Sequence, residues 1–243
     1  MNKKIVILIF FLIILFMFYC LLNRENYSNI IDNISFNVIT LSNEDRLNNI
    51  KEQENLSNIK INKFNAYRGI DLDQDQLIKS NILDVKFKFP STKRSNEIGC
   101  YQSHLNLLKS LKNSQSKYHI ILEDDFKFVP NINFFDTIDK VIAQTNFYSF
   151  DIIFLGWASN SSKSEQIYFS DNLCNFTSNN SFYGTYGYMV NSNSLDKIIN
   201  LISWIDMPID TKYNKLYSDN KLNMYWTIPI IIEPNYSLIS TIL

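Results

Sequence analysis

The segment KYHIIL at 117–122 is a short apolar run that stops at three consecutive acids, Glu123, Asp124 and Asp125. A run of that length between polar stretches predicts a buried strand. Its carboxylates then sit at the C-terminal end of the strand, the edge where ligands gather in open α/β sheets. Adjacent carboxylates repel one another and are tolerated when water or a divalent cation neutralises them. Magnesium and manganese take oxygen ligands and bridge to phosphate oxygens. The triplet taken alone is also explained by a solvated acidic turn.

The surrounding pattern predicts an α/β sheet with helices on both faces. FNVITL (36–41) is expected as a first buried strand, followed by a helix from Ser42 to about Leu56, and IKINKF (59–64) as a second strand. Residues 65–96 suggest long loops. In 97–113, Ile98, Tyr101, Leu105, Leu108 and Leu111 fall on one stripe at helical spacing. A helix over 133–144 and a buried strand FDIIFLG (150–156) come next, then a polar loop over 157–181. Tyr183–Tyr186 suggest a turn and GYMV (187–190) a strand. Ser192 or Asn193 is placed to cap a helix burying Leu195, Ile198, Ile199 and Ile202.

At the N-terminus, Lys3 and Lys4 precede an unbroken apolar run from Ile5 to Leu22. As a helix it rises roughly 27 Å, close to a hydrocarbon core. It lacks a small-residue cleavage site, which favours an uncleaved anchor over a signal peptide. The expected organisation is a cytoplasmic tip (1–4), a transmembrane signal anchor (5–22), a polar stem (23–35) and one domain (36–243). That is a single-pass type II membrane protein with its domain in the lumen of the secretory pathway of a eukaryotic or virus-infected cell. Sequons at Asn26, Asn33, Asn55, Asn160, Asn175, Asn179 and Asn235 fit that placement, although Asn-rich chains make them by chance. Cys100 and Cys174 could pair in an oxidising lumen, but two thiols make no disulfide framework and free thiols are the expected state. A net charge of -1 with no polybasic block argues against nucleic acid as a partner.

Seven motifs in order resemble glycosyltransferase family 25, the lipooligosaccharide and collagen galactosyltransferase group. They are VITLSNEDR (38–46), EIGCYQSH (97–104), IILEDD (120–125), FDIIFLG (150–156), YGTYGYMVNSNSLDKII (183–199), MPID (207–210) and ISTI (239–242). Thr40 departs from the pattern, where the family commonly has Asn. The resemblance implies a GT-A fold, a Rossmann-like nucleotide-sugar-binding α/β domain. It implies inverting transfer of a sugar, galactose from UDP-galactose, to a hydroxyl of a glycan, lipid-linked sugar or protein. Manganese or another divalent cation is expected on Glu123 and Asp125. Arg46, Ser103, His104, Glu123, Asp124 and Thr185 are expected around the donor, with Asp125 and Asp210 catalytic. On the residues alone, Arg46 is equally an exposed helix arginine, His104 a packed histidine and Asp210 a helix N-cap. A metal-dependent nucleotidyltransferase and an inactive carbohydrate-binding scaffold are the competing functions. The first lacks a Gly-x-x-x-x-Gly-Lys loop, and the second is at odds with an intact acidic triplet.

Overall fold

A computed structural model describes residues 14, 32–87, 92–145, 149–159, 166–168, 170–176 and 182–238. The apolar run Ile5–Leu22, nearly all of the stem and ISTI (239–242) lie outside the described residues. Among the described residues no helix is long and apolar enough to cross a membrane.

The strands are β1 (Ile34–Thr40), β2 (Asn62–Asn65), β3 (Tyr118–Glu123), β4 (Phe126–Phe128) and β5 (Ile152–Ser159), followed by β6 (Gln166–Tyr168), β7 (Leu173–Phe176), β8 (Phe182–Asn191), β9 (Met224–Thr227) and β10 (Ile232–Pro234). The helices are α1 (Glu44–Ser57), α2 (Gln74–Lys79), α3 (Thr92–Leu111), α4 (Phe134–Thr145), α5 (Leu195–Leu201) and α6 (Ile209–Ser218). One eight-stranded sheet runs β2-β1-β3-β8-β5-β9-β7-β6, and β4 pairs with β10 in a small second sheet. The large sheet is mixed. The β2-β1-β3 end is parallel and so is β5 with β9, while β8 lies antiparallel to both β3 and β5.

Both faces of the sheet are covered, which is why its inner strands read as continuous apolar runs. Alternate residues of β3 divide between two cores. Ile121 joins α3, α5 and α6 on one face, while Ile120 and Leu122 join Ile50 of α1 and Ile138 and Val141 of α4 on the other. The α3 stripe from Ile98 to Leu111 is buried as expected, and so are Leu195, Ile198, Ile199 and Ile202.

Several expectations are corrected. β1 begins at Ile34, inside the expected stem. Residues 65–96 hold a 3-10 turn at Gly69–Asp71, the short helix α2 and the first turn of α3. The stretch 157–181 is only partly loop, because β5 extends to Ser159 and β6 and β7 follow. Tyr183–Tyr186 do not form a free turn. They lie within β8, where register shifts opposite Gly156 and a positive φ at Gly184 bend the strand without ending it. Asn191 closes the turn before α5 by accepting the Asn193 N–H, so neither Ser192 nor Asn193 is the cap.

His119 is a core histidine. Its Nδ1 lies 2.6 Å from Ser35 Oγ and its Nε2 3.0 Å from Ser192 Oγ. Ser192 Oγ donates to the Ser116 carbonyl, which fits a neutral ring whose Nε2–H donates to Ser192. Burial pushes its pKa down to about 4. Cys100 and Cys174 are free thiols. Trp226 is fully buried among Phe154, Phe176 and Phe182, and Trp157 donates to the Thr227 carbonyl while packing on Phe176. Both serve the core, as expected for aromatic residues.

Candidate active site

The C-terminal ends of β1, β2 and β3 open on one side into a cavity of about 610 Å³. Its walls are Ile39 to Asn43 after β1, Ala66 to Ile70 after β2, one side of α3, and Glu123 with Asp124 at the end of β3. The motif EIGCYQSH supplies the α3 wall, and each of its special residues has a physical reason. A Cβ on Gly99 would come within 2.6 Å of both Gly69 N and Tyr67 O, so only glycine lets the 66–70 loop lie on the helix. Ser103 Oγ accepts the Tyr67 N–H at 2.8 Å and donates to the Gly99 carbonyl at 2.7 Å. Ser103 thus holds the cavity wall.

His104 is fully buried. Its Nδ1 lies 2.9 Å from Tyr188 Oη and its Nε2 3.3 Å from Glu123 Oε1. Thr185, buried in β8, donates to the same Glu123 oxygen at 2.5 Å. The Gly-Thr-x-x-Tyr segment and the Ser-His segment therefore converge on one carboxylate. Burial works against ionising Glu123, but the His104 and Thr185 hydrogen bonds and the nearby Arg46 charge outweigh it. They hold its pKa below the usual carboxylate value.

Arg46 is not an exposed helix arginine. It is buried on α1, with Nη1 2.9 Å from Asp124 Oδ1 and 3.0 Å from Asp125 Oδ2. Asp124 also accepts the Leu41 N–H. Burial nevertheless pushes both aspartates upward, and Glu123 adds to the rise at Asp125. The turn behind them is clamped by two residues that the sequence reading missed. Asn49 Nδ2 donates to the carbonyls of Asp124 and Phe126, and Asn235 Nδ2 donates to Asn49 Oδ1. The Asn235 N–H reaches the Asp125 carbonyl. A signal for the clamp exists in the sequence: Arg46, Asn49 and Gln53 recur at helical spacing, and all three are buried.

Because Arg46 is the cation paired with both aspartates, Arg46→Met should leave two half-buried carboxylates uncompensated. A loss of about 3–5 kcal/mol of stability is expected. Acidification should narrow the gap as the aspartates take up protons. Urea midpoints at pH 7 and pH 5 check this, and an unchanged midpoint at pH 7 would contradict the role.

The bonds described use Glu123 Oε1 and Asp125 Oδ2. The group of side chains among the described residues whose ligating atoms lie mutually within 4.8 Å includes Glu123 but not Asp125. Carboxylate oxygens are the ligand type that manganese and magnesium take. Asp210 lies in the first turn of α6, one residue inside the helix, so it is not the N-cap, which is Pro208. Its carboxylate accepts the Thr211 N–H at 2.6 Å. Burial raises the Cys100 pKa, and the charges of Glu123, Asp210 and Asp125 raise it further; Asp210 is not among the residues that line the cavity.

Fold and site together define an α/β protein with a carboxylate-ended strand beside a nucleotide-sized cavity. Residues 33–213 match the family described as "Glycosyltransferase family 25 (LPS biosynthesis protein)". The chain belongs to that family. A Drosophila melanogaster protein described as "Glycosyltransferase 25 family member" is 25% identical over 196 residues, covering 73% of this chain and 31% of the relative. The chain therefore spans about a third of the length of that curated relative. Among solved structures, A197 from STIV shares 12% identity over 79% of this chain and 80% of its own, with a TM-score of 0.38. The CMP:2-keto-3-deoxy-manno-octonic acid synthetase complexed with CTP shares 8% identity over 82% and 92%, also at 0.38. Similarities this distant say nothing further about function.

Proposed function

We propose that the protein is a metal-dependent glycosyltransferase of the GT-A type that transfers a sugar from a nucleotide-sugar donor to a hydroxyl acceptor. The observation that carries this reading is the cavity that ends on Glu123 and Asp124, with Asp125 turned beside them. The nucleotide occupies the space between the β1 and β2 ends and α3, with the sugar near Glu123. Glu123 and Asp125 hold the divalent cation, for which manganese is the first choice. When bound, the cation neutralises charge on the leaving diphosphate. Arg46 fixes Asp124 and Asp125, while Thr185 and His104 fix Glu123. Asp210 accepts the acceptor's proton as its oxygen bonds to the anomeric carbon and the bond to the diphosphate breaks, which gives inversion.

Family membership favours galactose from UDP-galactose, and a glycan, lipid-linked sugar or protein hydroxyl as acceptor. A screen of UDP-sugars against purified protein, with and without manganese, tests the donor by nucleotide release. Fastest release from UDP-galactose is expected; faster release from another sugar would reassign the donor.

The same reading places the domain in a secretory lumen, held by Ile5–Leu22. Asn33 and Asn55 are exposed sequons, whereas the Asn235 amide is tied to Asn49 within the fold. Expression in a eukaryotic cell should therefore yield a deglycosylase shift that is reduced in an Asn33→Gln, Asn55→Gln double variant. Absence of any shift, with protease sensitivity from the cytosolic side, would contradict the placement.

A further inference from the structure

We propose that Cys100, His104 and Glu123 form a second cation site, for a borderline-soft divalent ion of the zinc class, at the inner edge of the cavity. Their ligating atoms lie mutually within 4.8 Å. Cys100 and His104 are four residues apart on α3, so one rigid helix presents both on the same face. Glu123 meets them from the end of β3.

The surroundings resemble those of a metal-binding histidine. Such a ring usually gives its second nitrogen to a polar partner, which fixes the tautomer and aims the ligating nitrogen. Tyr188 Oη, 2.9 Å from His104 Nδ1, fills that position. In the metal-free protein Nε2–H donates to Glu123; with the ion bound, the tautomer shifts so that the hydroxyl accepts from Nδ1–H and the Nε2 lone pair faces the ion. Thr185 orients the carboxylate in the same way.

Sulfur, imidazole and one carboxylate make a set that suits zinc, whereas the all-oxygen pair of Glu123 and Asp125 suits manganese or magnesium. Three protein ligands leave a fourth position towards the cavity for water. Binding releases the Cys100 proton to solvent, and the thiolate, the neutral imidazole and the carboxylate each donate one electron pair. Glu123 belongs to both sets, so the two ions compete. Zinc is expected to inhibit manganese-supported turnover. That consequence rests on the function proposed above, but the binding itself does not.

Cobalt(II) added to the full-length protein is the direct probe. One equivalent should give a near-ultraviolet thiolate-to-cobalt band that zinc titrates away. Cys100→Ser should abolish the band, while Cys20→Ser and Cys174→Ser should keep it. No band in the wild type, or a band that survives in Cys100→Ser, overturns the site. Should Cys100→Ser fail to fold by circular dichroism, X-ray absorption of the zinc-loaded wild type decides. One sulfur neighbour at about 2.3 Å supports the site and none overturns it. A cobalt band without nucleotide release from any donor would leave the site standing and sink the glycosyltransferase reading alone. In active protein, zinc should inhibit Cys100→Ser at least tenfold less than the wild type; equal inhibition would place the inhibitory ion elsewhere.

Discussion

Asp125→Asn should lower sugar transfer by about 10²–10³-fold, the range seen when one main electrostatic stabiliser of a transition state is removed. The substitution keeps the side-chain shape. The Asp125 carbonyl still receives the Asn235 N–H, and Arg46 still pairs with Asp124 at 2.9 Å. The fold should therefore survive, with a melting temperature within a few degrees of the wild type. What is lost is one of the two carboxylates proposed to hold the cation. Excess chelator should reduce the wild type to a similar rate, and manganese should restore it. A variant turning over at the normal rate would remove Asp125 from the cation site. A variant that unfolds would make it structural instead.

Asp210→Asn should slow the chemical step by about 10²–10⁴-fold while barely changing donor affinity. In the proposed mechanism Glu123 and Asp125 serve the leaving-group side, so inversion needs another carboxylate on the acceptor side. Asp210 is half-buried at the start of α6. Asparagine can still accept the Thr211 N–H that Asp210 now accepts, so local helix geometry is preserved. Single-turnover rates and donor affinity should be measured side by side. A near-normal rate would leave Asp210 as a helix-start residue. Loss of donor binding would move it into the cation's surroundings.

The parts of the fold legible in the sequence are those where one apolar period dominates. β3 and β5 are continuous apolar runs because both faces of the sheet are covered, and α3 carries its stripe from Ile98 to Leu111. The short strands β4, β6, β7, β9 and β10 left too few residues to show a period. The first half of β8 reads as a turn because its glycine serves a different purpose: a Cβ at Gly184, or at Gly156 of the adjacent β5, would strike the Tyr186 ring. In the site, the acidic triplet and the Ser-His segment stood out locally. Their partners did not, because Arg46 meets Asp124 across 78 positions and Thr185 meets Glu123 across 62. No local pattern encodes such pairings; the family resemblance set these residues around the donor without pairing them. The Cys100–His104 spacing was visible, but its meaning depends on Glu123 arriving from β3.

The central claim is that the cavity beside the β3 carboxylates binds a nucleotide diphosphate through a divalent cation. Calorimetric titration of UDP into the purified protein tests it most directly, with manganese in one cell and excess chelator in the other. One UDP per chain should bind with manganese, and binding should weaken at least tenfold in chelator and in Asp125→Asn. Equal affinity with and without the metal, or no binding by folded protein in manganese, would contradict the account.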